Sequence, residues 1–200
     1  MKINPFIFRG YDIRGIVNKD LNPQVVKRVA KAFAVFLKKQ NIDKALLGYD
    51  SRLTSPQYAK IFAESLAWSG IDVFDIGMEL VGTFYWAQYY LNCKGGAYIT
   101  ASHNPVEYNG FKLANDFSET LVSESIQEIR QMVEREDYEK ARVPGRIRKV
   151  NVRKPYFKDL LKKLPVKKKF KVVIDSGFST AGAIAPALLK KAGCKVIEQN

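Results

Sequence analysis

Apolar positions along this chain switch repeatedly between a period of two and a period near 3.6, the pattern of strands alternating with helices. Asn22-Pro23 combines a capping side chain with proline at the first helical position. Val25, Val26, Val29, Phe33, Phe36 and Leu37 then recur at helical spacing. Ala45-Leu46-Leu47-Gly48-Tyr49 reads as a buried strand. Ser55-Pro56 opens a second helix bearing Tyr58, Ala59, Phe62 and Leu66, and Gly70 stops it. Ile71 to Ile76 alternates as a strand, Thr83 is placed to cap a short aromatic helix through Leu91, and Gly95 to Thr100 is the next strand. Asn109-Gly110 then predicts a turn, with Phe111-Lys112-Leu113-Ala114 as the returning strand. Ser125 with Glu128 reads as a capping box for a helix whose apolar face carries Ile126, Ile129 and Val133.

The remaining third is more polar. Gly145 to Val152 is a connector with strand-like alternation, and Pro155 to Leu164 a basic amphipathic helix with Tyr156, Phe157, Leu160, Leu161 and Leu164 as its apolar positions. From Phe170 the pattern is strand (171–175), helix (180–191) and strand (194–197). The predicted fold is therefore α/β: a mixed-sheet α/β/α sandwich domain over 1–137, a basic connector and helix over 138–169, and the start of a second, similar α/β domain over 170–200. A lone strand–helix–strand unit cannot bury both faces of its sheet. The chain thus reads as a fragment, or as one whose second domain a partner completes.

Composition narrows the class. A hydrophobic content of 46% with 12% aromatics supports a packed core and argues against disorder. Cys93 and Cys194 match no metal or redox spacing and read as reduced thiols. Met1 to Phe6 lacks signal-peptide character and no apolar run is long enough for a bilayer, so a soluble cytoplasmic protein without a membrane partner is expected. The formal charge is +13, concentrated between Lys140 and Lys171, where Asp159 is the only acid. Such a stretch is either a solvated basic surface or a field that steers anionic ligands. No zinc spacing, RNP-like aromatic motif or heptad-linked basic helix accompanies it, which argues against nucleic acid as a partner.

Candidate chemistry lies in three islands. In Phe8-Arg9-Gly10-Tyr11-Asp12-Ile13-Arg14-Gly15, arginines sit among glycines; guanidinium forks match phosphate oxygens, and glycines allow close backbone approach. Read alone, the same arginines serve equally as surface ion-pair partners. In Thr100-Ala101-Ser102-His103-Asn104-Pro105 a strand delivers a serine and the only histidine to a loop, and ligands of α/β sheets gather at such strand ends. A hydrolase reading has trouble there. No Gly-x-Ser-x-Gly elbow is present, and adjacent residues in a strand-ending turn rarely face each other as nucleophile and base. In Tyr108-Asn109-Gly110-Phe111-Lys112 a chain reversal would return Lys112 toward Ser102. A lysine beside arginines has its ammonium form disfavoured and could exchange protons there.

Together, and in this order, the islands resemble the α-D-phosphohexomutases, closest to the phosphomannomutase/phosphoglucomutase branch. Gly48-Tyr49-Asp50-Ser51-Arg52 is similar to that family's Gly-Arg-Asp-x-Arg segment, and Val172 to Gly177 to the start of its second domain. The resemblance implies a hexose-phosphate mutase in which Ser102, as phosphoserine, exchanges a phosphoryl group with hexose 1- and 6-phosphates through a bound hexose 1,6-bisphosphate. It implies Lys112 as acid/base, Tyr11 and Arg14 as contacts to the phosphorylated centre, His103 in support through hydrogen bonding, and Asn104 shaping the loop. It also implies Mg2+ bridging the phosphate on Ser102. The family's Asp-x-Asp-x-Asp-Arg metal loop, its sugar-selecting loop and its phosphate-binding loop are not found in these 200 residues. The remaining mutase domains are accordingly expected as the partner of this segment, which alone should be inactive. The hexose stays open among mannose, glucose and glucosamine phosphates. Asp175-Ser176-Gly177-Phe178-Ser179 departs from the family's Asp-x-Gly-Asn-Gly, and Tyr49 from its arginine. The rival reading is a non-catalytic module that keeps a phosphate-binding loop.

Overall fold

The computed structural model describes residues 3–199; Met1 and Lys2, which open the segment without signal-peptide character, and Asn200 lie outside them. In chain order the elements are β1 (Ile13–Ile16), α1 (Pro23–Lys39), β2 (Lys44–Tyr49), α2 (Ser55–Trp68), β3 (Asp72–Met78), α3 (Val81–Tyr90), β4 (Gly95–Ile99) and β5 (Tyr108–Asp116). There follow β6 (Glu119–Thr120), α4 (Ser123–Arg135), β7 (Ile147–Lys149), α5 (Arg153–Lys163), β8 (Lys171–Asp175), α6 (Ala185–Lys191) and β9 (Lys195–Gln199). Among the described residues no helix is long and apolar enough to cross a membrane.

The main sheet runs β1-β5-β4-β2-β3-β7, with β6 added to β5. β4, β2, β3 and β7 are mutually parallel, and β5 is antiparallel to both β1 and β4. Strand β2 is covered on both faces, which explains its unbroken apolar run. Ala45 and Leu47 face the layer of α1, α2 and α4, where the rings of Phe33, Phe62 and Phe111 pack in series, tilted, with centroids 6.2 and 5.3 Å apart. Leu46 faces the opposite layer with Ile76, Phe84, Tyr98 and Val152, covered by α3 and the start of α5. The α/β/α sandwich is thus present. β8 and β9 form a separate parallel pair, which with α6 makes a second, small α/β unit. Its apolar residues are poorly covered: Val173 is 56% and Phe170 53% exposed.

Four local expectations are corrected. Asn109-Gly110 is no turn. Both lie inside β5 and pair with Gly15 and Arg14 of β1, because the buried Asn109 amide is satisfied by Thr54 Oγ1 (2.8 Å) and Ser55 Oγ (3.1 Å), and a Cβ on Gly110 would collide with the Ile13 carbonyl. Only a residue without a side chain lets β1 approach so closely. Thr83 is buried one turn inside α3, whose cap position is Leu80. Ser125 and Glu128 form no capping box, since α4 begins at Ser123 and Glu128 pairs with Lys39 instead. The helix expected over 180–191 is split at Ile184 into a 3-10 turn, Thr180–Ala183, and α6. The polar connector holds a short strand, β7, which extends the sheet beside β3. Cys93 is buried, and burial pushes its thiol up to about 12, so it is a packing group.

Candidate active site

The parallel strands β2 and β4 end side by side, and their following loops form one rim of a cleft of about 540 Å³. Ser102, Asn104 and Lys112 line it, with Asp50, Arg52 and Thr100 from the same rim. A second rim is the 177–181 segment after β8, tied to the first by Ser51 N donating to Thr180 Oγ1 at 2.9 Å.

Ser102 is exposed and has φ 55°, a left-handed conformation uncommon outside glycine and often found at sites of function. Its backbone N–H donates to Thr100 Oγ1 at 2.8 Å, closing a tight turn that points the hydroxyl outward. Two arginines hold the loop from behind. Arg52 donates to four backbone carbonyls: Pro105 and Tyr108 through Nη1 (2.8 and 2.9 Å), Ser102 and Asn104 through Nη2 (2.9 and 2.5 Å). Asp50 orients it, its carboxylate lying 3.4 Å from Arg52 Nε while accepting from Ser55 Oγ at 2.6 Å. Arg14 is buried beneath the loop. It donates to the Ala101 carbonyl (3.1 Å) and Asn104 Oδ1 (2.5 Å), with Asp12 accepting from its Nε at 2.7 Å. A planar five-donor fork suits this task; a lysine has neither the donors nor the geometry.

The candidate residues therefore occupy distinct stations. Ser102, Asn104 and Lys112 reach the cleft. Among the described residues, Arg14, Tyr11 and His103 are not part of its lining. Lys112 Nζ lies 3.8 Å from Asp12 Oδ2 and 5.1 Å from the centre of the Tyr11 ring, so its charged partner is a carboxylate and not an arginine. Tyr11 is half exposed beside it. His103 Nδ1 stands 3.4 Å from Ser102 Oγ, at the outer limit of a hydrogen bond and at an exposed position. Sequence reasoning gave Arg52, Asp50 and Asp12 no task. The Arg-Asp spacing in Asp50-Ser51-Arg52 was a visible signal, but backbone carbonyls as acceptors leave no trace in sequence.

A divalent cation needs several hard oxygen ligands. Ser102 supplies one, and among the described residues no three His, Cys, Asp or Glu side chains converge. Asp50, the one carboxylate lining the cleft among the described residues, is committed to Arg52 and Ser55. The residues present do not by themselves fit a magnesium site.

Comparison with known proteins matches this arrangement. A family model described as phosphoglucomutase/phosphomannomutase, alpha/beta/alpha domain I, matches residues 5–140. A phosphomannomutase/phosphoglucomutase of Pseudomonas putida is 36% identical over 191 residues, covering 96% of this chain and 41% of the relative. A phosphoglucomutase of Neisseria meningitidis is 35% identical over 193 residues, covering 96% and 42%. The crystal structure of a phosphoglucomutase/phosphomannomutase family protein from Burkholderia thailandensis superposes with a TM-score of 0.91 at 27% identity, over 99% of this chain and 44% of that one. The chain spans about two fifths of the length of the curated relatives it matches.

Proposed function

The chain belongs to the phosphoglucomutase/phosphomannomutase family, and from that premise we propose that it carries the phosphoryl-bearing serine of a hexose-phosphate mutase. The observation that carries this reading is the placement of Ser102: an exposed hydroxyl on a left-handed turn, at the mouth of a cleft, with its loop fixed by Arg52 and Arg14. Phosphoryl transfer asks little covalent chemistry of a protein and much positioning.

In the proposed cycle a hydroxyl oxygen of a hexose 1- or 6-phosphate attacks the phosphorus of phosphorylated Ser102. The new P–O bond forms as the bond to Ser102 Oγ breaks, giving free serine and a bound 1,6-bisphosphate. The hydroxyl proton is lost and Ser102 Oγ gains one, and Lys112 is the group lining the cleft that exchanges it. The bisphosphate reorients and its other phosphoryl group returns to Ser102 by the reverse step. Asp12 holds Lys112 and Arg14 together, so proton exchange and loop position share one buried anchor. Tyr11 and His103 border the phosphorylated centre, and Asn104, gripped by Arg14, shapes the loop. A magnesium ion would offset the negative charge of the phosphate on Ser102; of its oxygen ligands these residues would supply Ser102 alone, and the others would come from outside them. The rest of the polypeptide supplies the other mutase domains, in a cytoplasmic enzyme. Relatives bearing both mannose and glucose names leave the hexose open.

Intact mass and peptide mapping of the full-length protein test this directly, with one phosphate expected on Ser102. Ser102→Ala should lower turnover of glucose 1-phosphate or mannose 1-phosphate by at least about a thousandfold, as loss of a nucleophile does. Unchanged turnover would remove Ser102 from this role.

A further inference from the structure

The 177–181 segment of the cleft carries an aromatic ring in an unusual setting. Phe178 has φ 56°, a region a bulky residue enters only under constraint, and it is 81% exposed. Gly177 before it is also left-handed, at φ 52°. The conformation is held at both ends: Gly177 N donates to Asp175 Oδ1 at 2.9 Å, Ser179 N to the Ser176 carbonyl at 2.9 Å, and Thr180 Oγ1 accepts from Ser51 N. The loop therefore spends backbone strain to hold an apolar ring in water, in the lining of the same cleft as Ser102. Leu53 and Val106, 91% and 77% exposed, add apolar surface to the same cleft from the Ser102 rim.

A pyranose suits such a rim, because its hydroxyls point outward around the ring while its faces are C–H surfaces that pack on aromatic rings. We infer that Phe178 is a substrate-contacting residue whose ring stacks on the C–H face of the hexose. This rests on the hexose-phosphate reading of the cleft and adds the sugar's apolar contact. Phenylalanine has no polar atom, so the contact sets no hydrogen-bond direction. A sugar bound with either phosphate toward Ser102 presents a C–H face to it equally well. That tolerance is what a bisphosphate that must turn over between two half-reactions requires.

The test uses the full-length enzyme. Phe178→Ala should raise KM for hexose 1-phosphate and hexose 6-phosphate alike, by about five- to tenfold, a size in keeping with loss of one aromatic contact. Inhibition by inorganic phosphate, which has no ring to stack, should be unchanged, and so should phosphate occupancy of Ser102. Phe178→Trp should restore KM. Phe178→Gly relieves the left-handed strain, so it should match alanine in KM while unfolding at a temperature no lower than wild type. An active enzyme whose KM is unmoved by Phe178→Ala overturns the stacking role. So does a Phe178→Gly variant whose KM rises while its unfolding temperature falls, which would make the ring structural. A wild-type enzyme with neither turnover nor phosphate on Ser102 instead overturns the mutase reading, and this inference with it.

Discussion

The two walls of the cleft are built on opposite plans. The Ser102 wall is over-determined: Arg52 fixes four carbonyls of the loop, Arg14 fixes a fifth together with the Asn104 side chain, and Thr100 closes the turn. Behind it lies a sheet buried on both faces. The Phe178 wall is joined to it by the Thr180–Ser51 hydrogen bond and backed by a two-stranded sheet with exposed apolar side chains. The difference follows the chemistry proposed for each. A phosphoryl carrier must be held within about 0.5 Å of its productive position. A wall that only guides a sugar through reorientation gains nothing from such rigidity.

That contrast can be broken most forcefully at Gly110. An added Cβ would meet the Ile13 carbonyl and the Arg14 backbone, which could be relieved only by parting β1 from β5. Gly110→Ala should destabilise by about 3 kcal/mol or more, at the severe end for single substitutions. Urea unfolding would measure it, and a loss under about 1 kcal/mol would show that the close approach of β1 does not anchor the Ser102 wall.

Arg52 comes next. Arg52→Lys keeps the charge but cannot reach four carbonyls at once. Loosening the loop by about an ångström should lower kcat some 10- to 100-fold. KM should change little and Phe178 contacts should be intact. If kcat survives, the collar around Ser102 is structural ornament and the contrast between the walls fails at its strong side.

How much of this was legible in sequence follows from which contacts are local. Helices α1 and α2, strands β2 to β5 and the three islands could be read because periodicity, capping and turn signals act within a few residues. Asn109-Gly110 misled for the same reason. As a local signal it means a turn, and only the arrival of β1, almost a hundred residues away in sequence, makes it a strand interior that needs a glycine. Ser125-Glu128 failed because Glu128 found Lys39 on α1. Arg52 was visible as a residue but not as a clamp, since its acceptors are carbonyls some fifty positions on. The like-charge argument for Lys112 missed Asp12, which folds in between it and Arg14.

The smallest effect probes the weak side. Thr180→Val removes the acceptor of Ser51 N and leaves both backbones in place. One hydrogen bond of this kind contributes about 1 kcal/mol. If it ties a loosely held wall, its loss lets the 177–181 loop sample more positions. KM for hexose phosphates should then rise two- to fivefold, with kcat nearly constant and faster hydrogen exchange at the Ser51 amide. The serine side should not notice, because Ser102 is fixed by the hydrogen bonds of Arg52 and Arg14 to its loop, and Thr180 is the acceptor of neither. A fall in kcat as large as that from Arg52→Lys would mean that the two walls act as one body. The rigid-against-yielding division would then be an error about the mechanism, and not only about one hydrogen bond.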